Sequence, residues 1–521
     1  MKLFRQRFYI FLIPFLFILF FFLPLLVESF HWYQLVDSPV LNYISYLLLN
    51  GKIIYRDVFD INLPGCYCLI MFSEKFLGIS DTSFRIFDLI LLIFSIFSII
   101  MIFRRINLFI SIFSALCFAS IHLAGGPADL LERDYLLIPF IGFATYFFFK
   151  FLKNPENSFF NLFMAGFLFS YAIIIKPFVS ILALFYILFY FFTFLHKVKQ
   201  LKLLINILSF FSFLLIFPSI MIIWIYHIHS LQQFLFIFFK YAPVFYQNRQ
   251  DSLKNIILSM LFTPVGFYLF ILFMLIPFYP ILIRYLKNNS DYKILFFLLL
   301  ISCTWGFISY FFQITVWPYH LYPLYFYLSC LVSFIIFILI NHTKSFVFYV
   351  QSFQYLILLS LFLDFLMYRT LVGKSNYINQ YYANPLFQPV QDRPNMINDI
   401  IHELSHVVSA GDTVEVYDNT QEGDNILFRM HLFTPTRFVQ EIHFSWGNID
   451  ENKYIRQIWE EYIYTFFHHP PKAIIIFSSN KVFDNTAFSN VKFYQQLYQF
   501  VDSHYSIYKK SNYYSILVRN Y

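Results

Sequence analysis

Apolar runs of membrane-spanning length recur along the first 370 residues, at about 8–29, 82–103, 107–125, 135–152, 158–175, 177–196, 202–228, 256–283, 294–313, 319–340 and 345–369. A helix needs about 20 such residues to cross the hydrocarbon layer, where only helices and closed barrels satisfy their own backbone. The expected fold is therefore a polytopic α-helical membrane protein of about eleven transmembrane helices. Composition agrees, because 59% of the 521 residues are hydrophobic, 76 are Phe and only 12% are charged, unlike any soluble domain. The first run is too long for a signal peptide and lacks a small-residue cleavage site, which leaves Met1 to Arg7 as a basic cytoplasmic tail.

Charge sets the orientation. With the N-terminus inside, the cytoplasmic loops hold Arg104 and Arg105, Lys150 and Lys153, Lys197, Lys199 and Lys202, Arg284, Lys287 and Lys293, and Lys344, so every inside loop is basic. This bias accounts for most of the net charge of +7, and no nucleic-acid partner is inferred. The apolar segment Pro64 to Gly78 is too short to span and reads as interfacial or re-entrant; as a full span it would invert the charge pattern. An odd number of spans then places the C-terminal part outside. The five cysteines all lie in apolar segments up to residue 330, so the polar C-terminal part has no disulfide framework. Glycosylation sequons at Asn288 and Asn341 fall on inside loops and none falls in the outward part, which favours a bacterial inner membrane.

The chain divides into a transmembrane part, 1–372, and an extracytoplasmic α/β domain, 373–521, beyond a linker marked by Pro385, Pro389 and Pro394. There, 413–417 (TVEVY) and 472–477 (KAIIIF) read as buried strands and 505–519 as a strand pair turning at 510–512. Residues 396–408, 451–467 and 488–501 have helical spacing.

Charges collect on the outward side. The first outer loop, 30–81, carries Asp37, Lys52, Arg56, Asp57 and Asp60. Ser38 can cap a short interfacial helix with Pro39 at its first position, an apolar face of Val40, Leu41, Ile44, Leu47 and Leu48, and Gly51 at its end. Further along come Asp129, Glu132, Arg133 and Asp134, then Lys176, Lys240, Arg249 and, in VWPYHLYPL, His320. A carboxylate that takes a proton from a hydroxyl, together with cations where a phosphate departs, needs this mixture. The bland alternatives are local salt bridges for Arg56, Asp57 and Asp60, self-paired charges for 132–134, a snorkelling Lys176 and an interfacial His320.

The pattern Gly51, Lys52, Tyr55, Arg56, Asp57, Phe59, Pro64 after an acidic residue just beyond the first helix, with LLERDYLLIPF as the second outer loop, resembles the GT-C membrane glycosyltransferases related to aminoarabinose transferase and protein O-mannosyltransferases. YHLYP at 319–323 is a weaker third match. The resemblance implies inverting transfer of a sugar from a polyprenyl-phosphate carrier to a glycan, lipid or protein acceptor at the membrane's outer face. It implies Asp37 as the carboxylate that acts as general base or orients the acceptor, and Asp134 or Glu132 as the second acidic position. Arg56, Asp57, Arg133, Lys176, Lys240, Arg249 and His320 are the expected substrate-binding groups, with no cofactor and a divalent cation left open. Ser38 follows Asp37 where a second acidic residue marks protein O-mannosylation, and Asn62-Leu63 stands where Lys-Pro is frequent.

Two other classes compete. A transporter or flippase of lipid-linked saccharides would share the helices and interfacial charges, but repeat symmetry and broken helices are not visible in the sequence. His402-Glu403-Leu404-Ser405-His406 has the H-E-x-x-H spacing of a membrane-anchored zinc protease, though no third ligand is apparent.

Overall fold

The structure, a computed structural model, describes residues 22–247, 251–342, 393–418, 422–445, 452–478, 480, 482–483 and 492–520. The expected span at 345–369, most of the one at 8–29, Arg249 and the linker at 385–389 lie outside these residues. The chain packs as two compact units that are not consecutive in sequence. One comprises the described residues within 1–32, 85–221 and 251–369, and the other those within 33–84, 222–250 and 370–521.

The first unit is a helical bundle. Among the described residues, six helices are long and apolar enough to cross a membrane: Asp81–Phe103, Ile110–Asp129, Arg133–Lys153, Gln200–His227, Ser290–Gln313 and Pro318–Leu339. The expected number of eleven is thus not confirmed among these residues. Phe159–Ile175 and Val179–Phe194 fall short of the length, and the run expected as one span at 256–283 is broken. There the helix stops at Leu261 and resumes at Pro264, bent by 75°, with Thr263 Oγ1 capping the new N-terminus at 3.4 Å from Val265 N. Proline lacks the amide that would continue the ladder, so an apolar run interrupted by one need not be one straight helix. A broken helix, not visible in the sequence, is therefore present, in one pair among the described residues.

Burial ranks the helices. Pro318–Leu339 is 94% buried within its hydropathy window, whereas Gln200–His227 is 11% buried and presents most of its side chains outward. Without water to drive helices together, contacts rest on close approach and interhelical hydrogen bonds. A Cβ at Gly142 would lie 2.2 Å from Ser98 Oγ, so only glycine allows that crossing. Thr145 Oγ1 is 2.9 Å from the hydroxyls of both Tyr186 and Tyr327, and Tyr186 Oη is 2.7 Å from Ser302 Oγ, tying four helices together through hydroxyl groups.

The second unit joins the first loop to the α/β part. Four strands, β1 (Val414–Tyr417), β2 (Ala473–Phe477), β3 (Tyr505–Lys510) and β4 (Tyr514–Arg519), form one sheet in the order β1-β2-β4-β3. β1 and β2 are parallel, while β4 is antiparallel to both β2 and β3, so the last two strands form the expected hairpin. Helices Arg393–Ser405, Lys453–His468 and Lys492–His504 accompany the sheet, at the positions that helical spacing marked to within a few residues. The helix Ser38–Leu49 belongs to this unit. It is buried on nearly all sides, Tyr43 Oη donating to Leu432 O at 3.0 Å, and so lacks the wet face expected of an interfacial helix. Ser38 is also not its cap: Asp37 occupies that position, and Ser38 Oγ donates to Leu35 O at 2.9 Å.

Candidate active site

The charged loop 51–63 is built by its own motif. Gly51 has φ +86°, and the amides of Gly51 and Lys52 donate to Leu48 O (3.1 Å) and Leu47 O (3.0 Å), the paired closure by which a left-handed residue ends a helix. Tyr55 and Phe59 are fully buried, with Tyr55 at 5.3 Å from the Phe234 ring and Phe59 at 5.0 Å from both Tyr241 and Phe438. Arg56 and Asp57 form a two-pronged pair at 2.8 and 2.9 Å, and the Ile53 amide adds a third bond to Asp57, so that carboxyl is held below its usual range. Asp60 is completely buried and accepts from the amides of Ile61 and Asn62; burial nevertheless raises its carboxyl above the ordinary value. Arg56, Asp57 and Asp60 thus pin the loop to itself.

Asp37 is half-buried at the N-terminus of Ser38–Leu49. Val36 before it has φ +60°, a conformation strongly disfavoured for a β-branched side chain. Backbone strain of this kind persists only where surrounding packing over-determines it, and it clusters at functional sites. Lys240 is exposed on the π-helix Ile237–Tyr241 of the same unit, with no site group brought to it in the structure.

In the first unit, three expected residues converge. The short helix Arg133–Leu136 presents Asp134, Lys176 follows the end of Phe159–Ile175, and His320 lies in the 3-10 turn Pro318–Leu321. One oxygen of Asp134 pairs with the Lys176 ammonium and the other lies 2.8 Å from His320 Nδ1. Lys176 also donates to Gln313 Oε1 at 2.9 Å, and Arg133 is close enough to act electrostatically on Asp134, Lys176 and His320. Glu132 is buried and its carbonyl receives the amides of Tyr135 and Leu136, but it is Asp134 that faces the cations. Cations held beside a buried carboxylate in this way are groups that can meet a phosphate.

Beside it lies a network absent from the expectations. Arg85 pairs with Asp88, donates to Ser29 Oγ at 2.9 Å and has its guanidinium 4.4 Å from the Trp32 ring. His122 bridges Asp88 (2.9 Å) and the Tyr322 hydroxyl (2.8 Å), stacking on Tyr135 at 4.2 Å. Asp88 further accepts the Leu131 amide at 3.2 Å, and Leu131 has φ +55° in the loop leading to Asp134. Because Tyr135 adjoins Asp134 and Tyr322 lies two residues past His320, the network braces both segments that carry the cluster. Arg85 and Asp88, one turn apart inside an apolar run, were the available signal, since charges within spans mark function by default.

The H-E-x-x-H segment does not form a metal site. Its helix ends at Ser405, Glu403 is paired with Lys509 at 2.9 Å, and no group of three metal-binding side chains occurs among the described residues.

Comparison with known proteins shows what this helical fold with its small sheet is similar to. Residues 64–224 match the family model described as dolichyl-phosphate-mannose-protein mannosyltransferase. The fold is similar to that of ArnT from Cupriavidus metallidurans bound to undecaprenyl phosphate, with TM-score 0.60 and 12% identity over 95% of this chain and 96% of that one. The same protein in its apo state gives TM-score 0.59 and 11% identity over the same shares. No curated protein matches the sequence. The resemblance to polyprenyl-phosphate-sugar glycosyltransferases is supported by these two similarities taken together.

Proposed function

We propose that this protein is an integral membrane glycosyltransferase that moves a sugar from a polyprenyl-phosphate carrier to an acceptor hydroxyl at the outer membrane face, with inversion. The observation that carries this reading is the Asp134–Lys176–His320 cluster with Arg133 beside it. In the reaction, a base takes the proton of the acceptor hydroxyl as its oxygen attacks the anomeric carbon. The bond from that carbon to the phosphate oxygen breaks, and its electron pair leaves with the carrier phosphate. Lys176 and Arg133 would hold that charge, while His320, which gives its Nδ1 proton to Asp134, would fix that carboxylate. Asp134, engaged on both oxygens, positions these groups, and the family resemblance assigns the role of base to Asp37. Side chains supply every cation, so the scheme asks for no metal. The ArnT structure holding undecaprenyl phosphate supports a carrier of that class.

The N-terminus then lies in the cytoplasm of a bacterial cell, residues 1–372 form the catalytic membrane part, and 373–521 face outward. Mass spectrometry of glycans and lipid-linked sugars in cells with and without the gene tests the reading. The expected result is loss of one sugar from a glycan with accumulation of its polyprenyl-phosphate form, restored by the wild type but not by Asp37→Asn. Full restoration by Asp37→Asn would remove the mechanism. Accumulation of the lipid-linked sugar on the inner leaflet alone would favour the flippase, for which the 75° break at residues 262–263 is the supporting feature.

A further inference from the structure

Where β1 and β2 begin and β4 ends, the sheet brings Thr413, Lys472 and Arg519 side by side: the Lys472 amide donates to Thr413 O at 2.9 Å and the Arg519 amide to Lys472 O at 3.1 Å. Phe433 lies along the other edge of β1, its carbonyl accepting the Val414 amide at 2.9 Å. The helix Lys453–His468 ends here in His468 and His469, and the closure at Gly51 delivers Asn50 and Lys52 from the first loop. Between these segments is an open cleft of about 630 Å³, a size typical of small-ligand sites.

Among the described residues its charged side chains have one sign: Lys52 and Arg519 line it beside His468 and His469, and no carboxylate does. Several cations elsewhere in the unit are engaged: Arg56 with Asp57, Arg429 with Asp81, Arg437 with Glu461, Lys472 with Asp412 and Lys509 with Glu403. Among the described residues neither Lys52 nor Arg519 belongs to an ion pair. Asp57, whose charge Lys52 does feel, is already committed to Arg56 and the Ile53 amide. The Lys52 ammonium instead stands 5.7 Å from the centre of the Phe433 ring. Uncompensated cations in a concavity focus the field on an anion, and the remaining lining of amide, hydroxyl and imidazole groups matches sugar hydroxyls.

We propose that this cleft binds an anionic saccharide, a sugar bearing a phosphate or carboxylate group, with Lys52 and Arg519 on the anion. The site stands independently of the transferase reading, because binding is measured without turnover. The full chain in detergent micelles is titrated calorimetrically with glucose 6-phosphate, glucose and inorganic phosphate, and the titration is repeated in nanodiscs with and without phosphatidylglycerol. Glucose 6-phosphate is expected to bind at least threefold tighter than phosphate, with no heat from glucose. Lys52→Gln and Arg519→Gln should each weaken it about tenfold, Lys52→Arg should preserve it within threefold, and Lys509→Gln, outside the cleft, should leave it unchanged. Retained affinity in the Lys52→Gln/Arg519→Gln double variant, or no binding by the wild type, overturns the site. Equal affinity for inorganic phosphate, or displacement of the sugar phosphate by phosphatidylglycerol, assigns the cleft to a free anion or a lipid headgroup and overturns the saccharide.

Discussion

The ammonium of Lys176 and the carboxylate of Asp134, 42 positions apart in the chain, form an ion pair whose side chains are 4% and 0% exposed. Breaking a buried pair from one side strands a charge, at a cost of about 3–5 kcal/mol, while replacing both members is much milder. Lys176→Met and Asp134→Asn should therefore each lower the thermal midpoint in detergent clearly, and Lys176→Met/Asp134→Asn should recover most of the loss. Transfer should stay reduced about a hundredfold or more in all three, since the cation proposed to meet the leaving phosphate is gone or misplaced. A double variant no more stable than the worse single one would contradict the pair.

His122→Phe preserves a ring to stack on Tyr135 but removes the hydrogen bonds to Asp88 and Tyr322. Losing those two hydrogen bonds costs about 0.5–1.5 kcal/mol each. A fall of several degrees in midpoint is expected, together with a lower kcat at little-changed KM, because the braced segments carry Asp134 and His320. Wild-type kcat in a stably folded His122→Phe protein would show that the network does not position the cluster.

Val36 holds φ +60° immediately before Asp37. A left-handed conformation costs an ordinary residue about 1–2 kcal/mol, whereas glycine adopts it freely. Val36→Gly should thus leave the midpoint unchanged or slightly raised, unlike most Val-to-Gly changes, while transfer falls as the Asp37 carboxylate loses its fixed direction. Strong destabilisation would mean that the isopropyl group matters more than the strain.

Glu415 on β1 is buried, and burial, helped by nearby Glu441 and opposed by the Tyr462 hydroxyl, pushes its carboxyl up to about 8. The folded pKa lies above the unfolded one, so between about pH 4.5 and 8 the unfolded chain releases this proton while the folded chain keeps it. Stability should accordingly decline as pH rises through that window. Glu415→Gln should flatten the decline and raise the midpoint at pH 8 by a few degrees, read by thermal unfolding across a pH series. An unchanged pH profile would show that the carboxyl ionises at its ordinary value when folded.

What the sequence determined by itself is what short-range energetics can write into it. Long apolar runs mark helices because the bilayer forbids any other backbone, Gly51 marks a helix end because its φ is positive, and the β-branched strands at 413–417 and 472–477 alternate with helical spacing. Asp134, Lys176 and His320 were legible as candidates because polar groups beside apolar runs are costly to keep without use. Their partnership was not legible, since it depends on which helix ends packing brings within 3 Å, and nothing local encodes that. The same holds for Arg56 and Asp57, which packing turned toward each other, and for Arg85, Asp88 and His122, which a hydropathy scan averages into their spans. Only the tertiary structure decided where the run at 256–283 bends, because a proline permits a break but neighbouring helices choose whether the chain takes it.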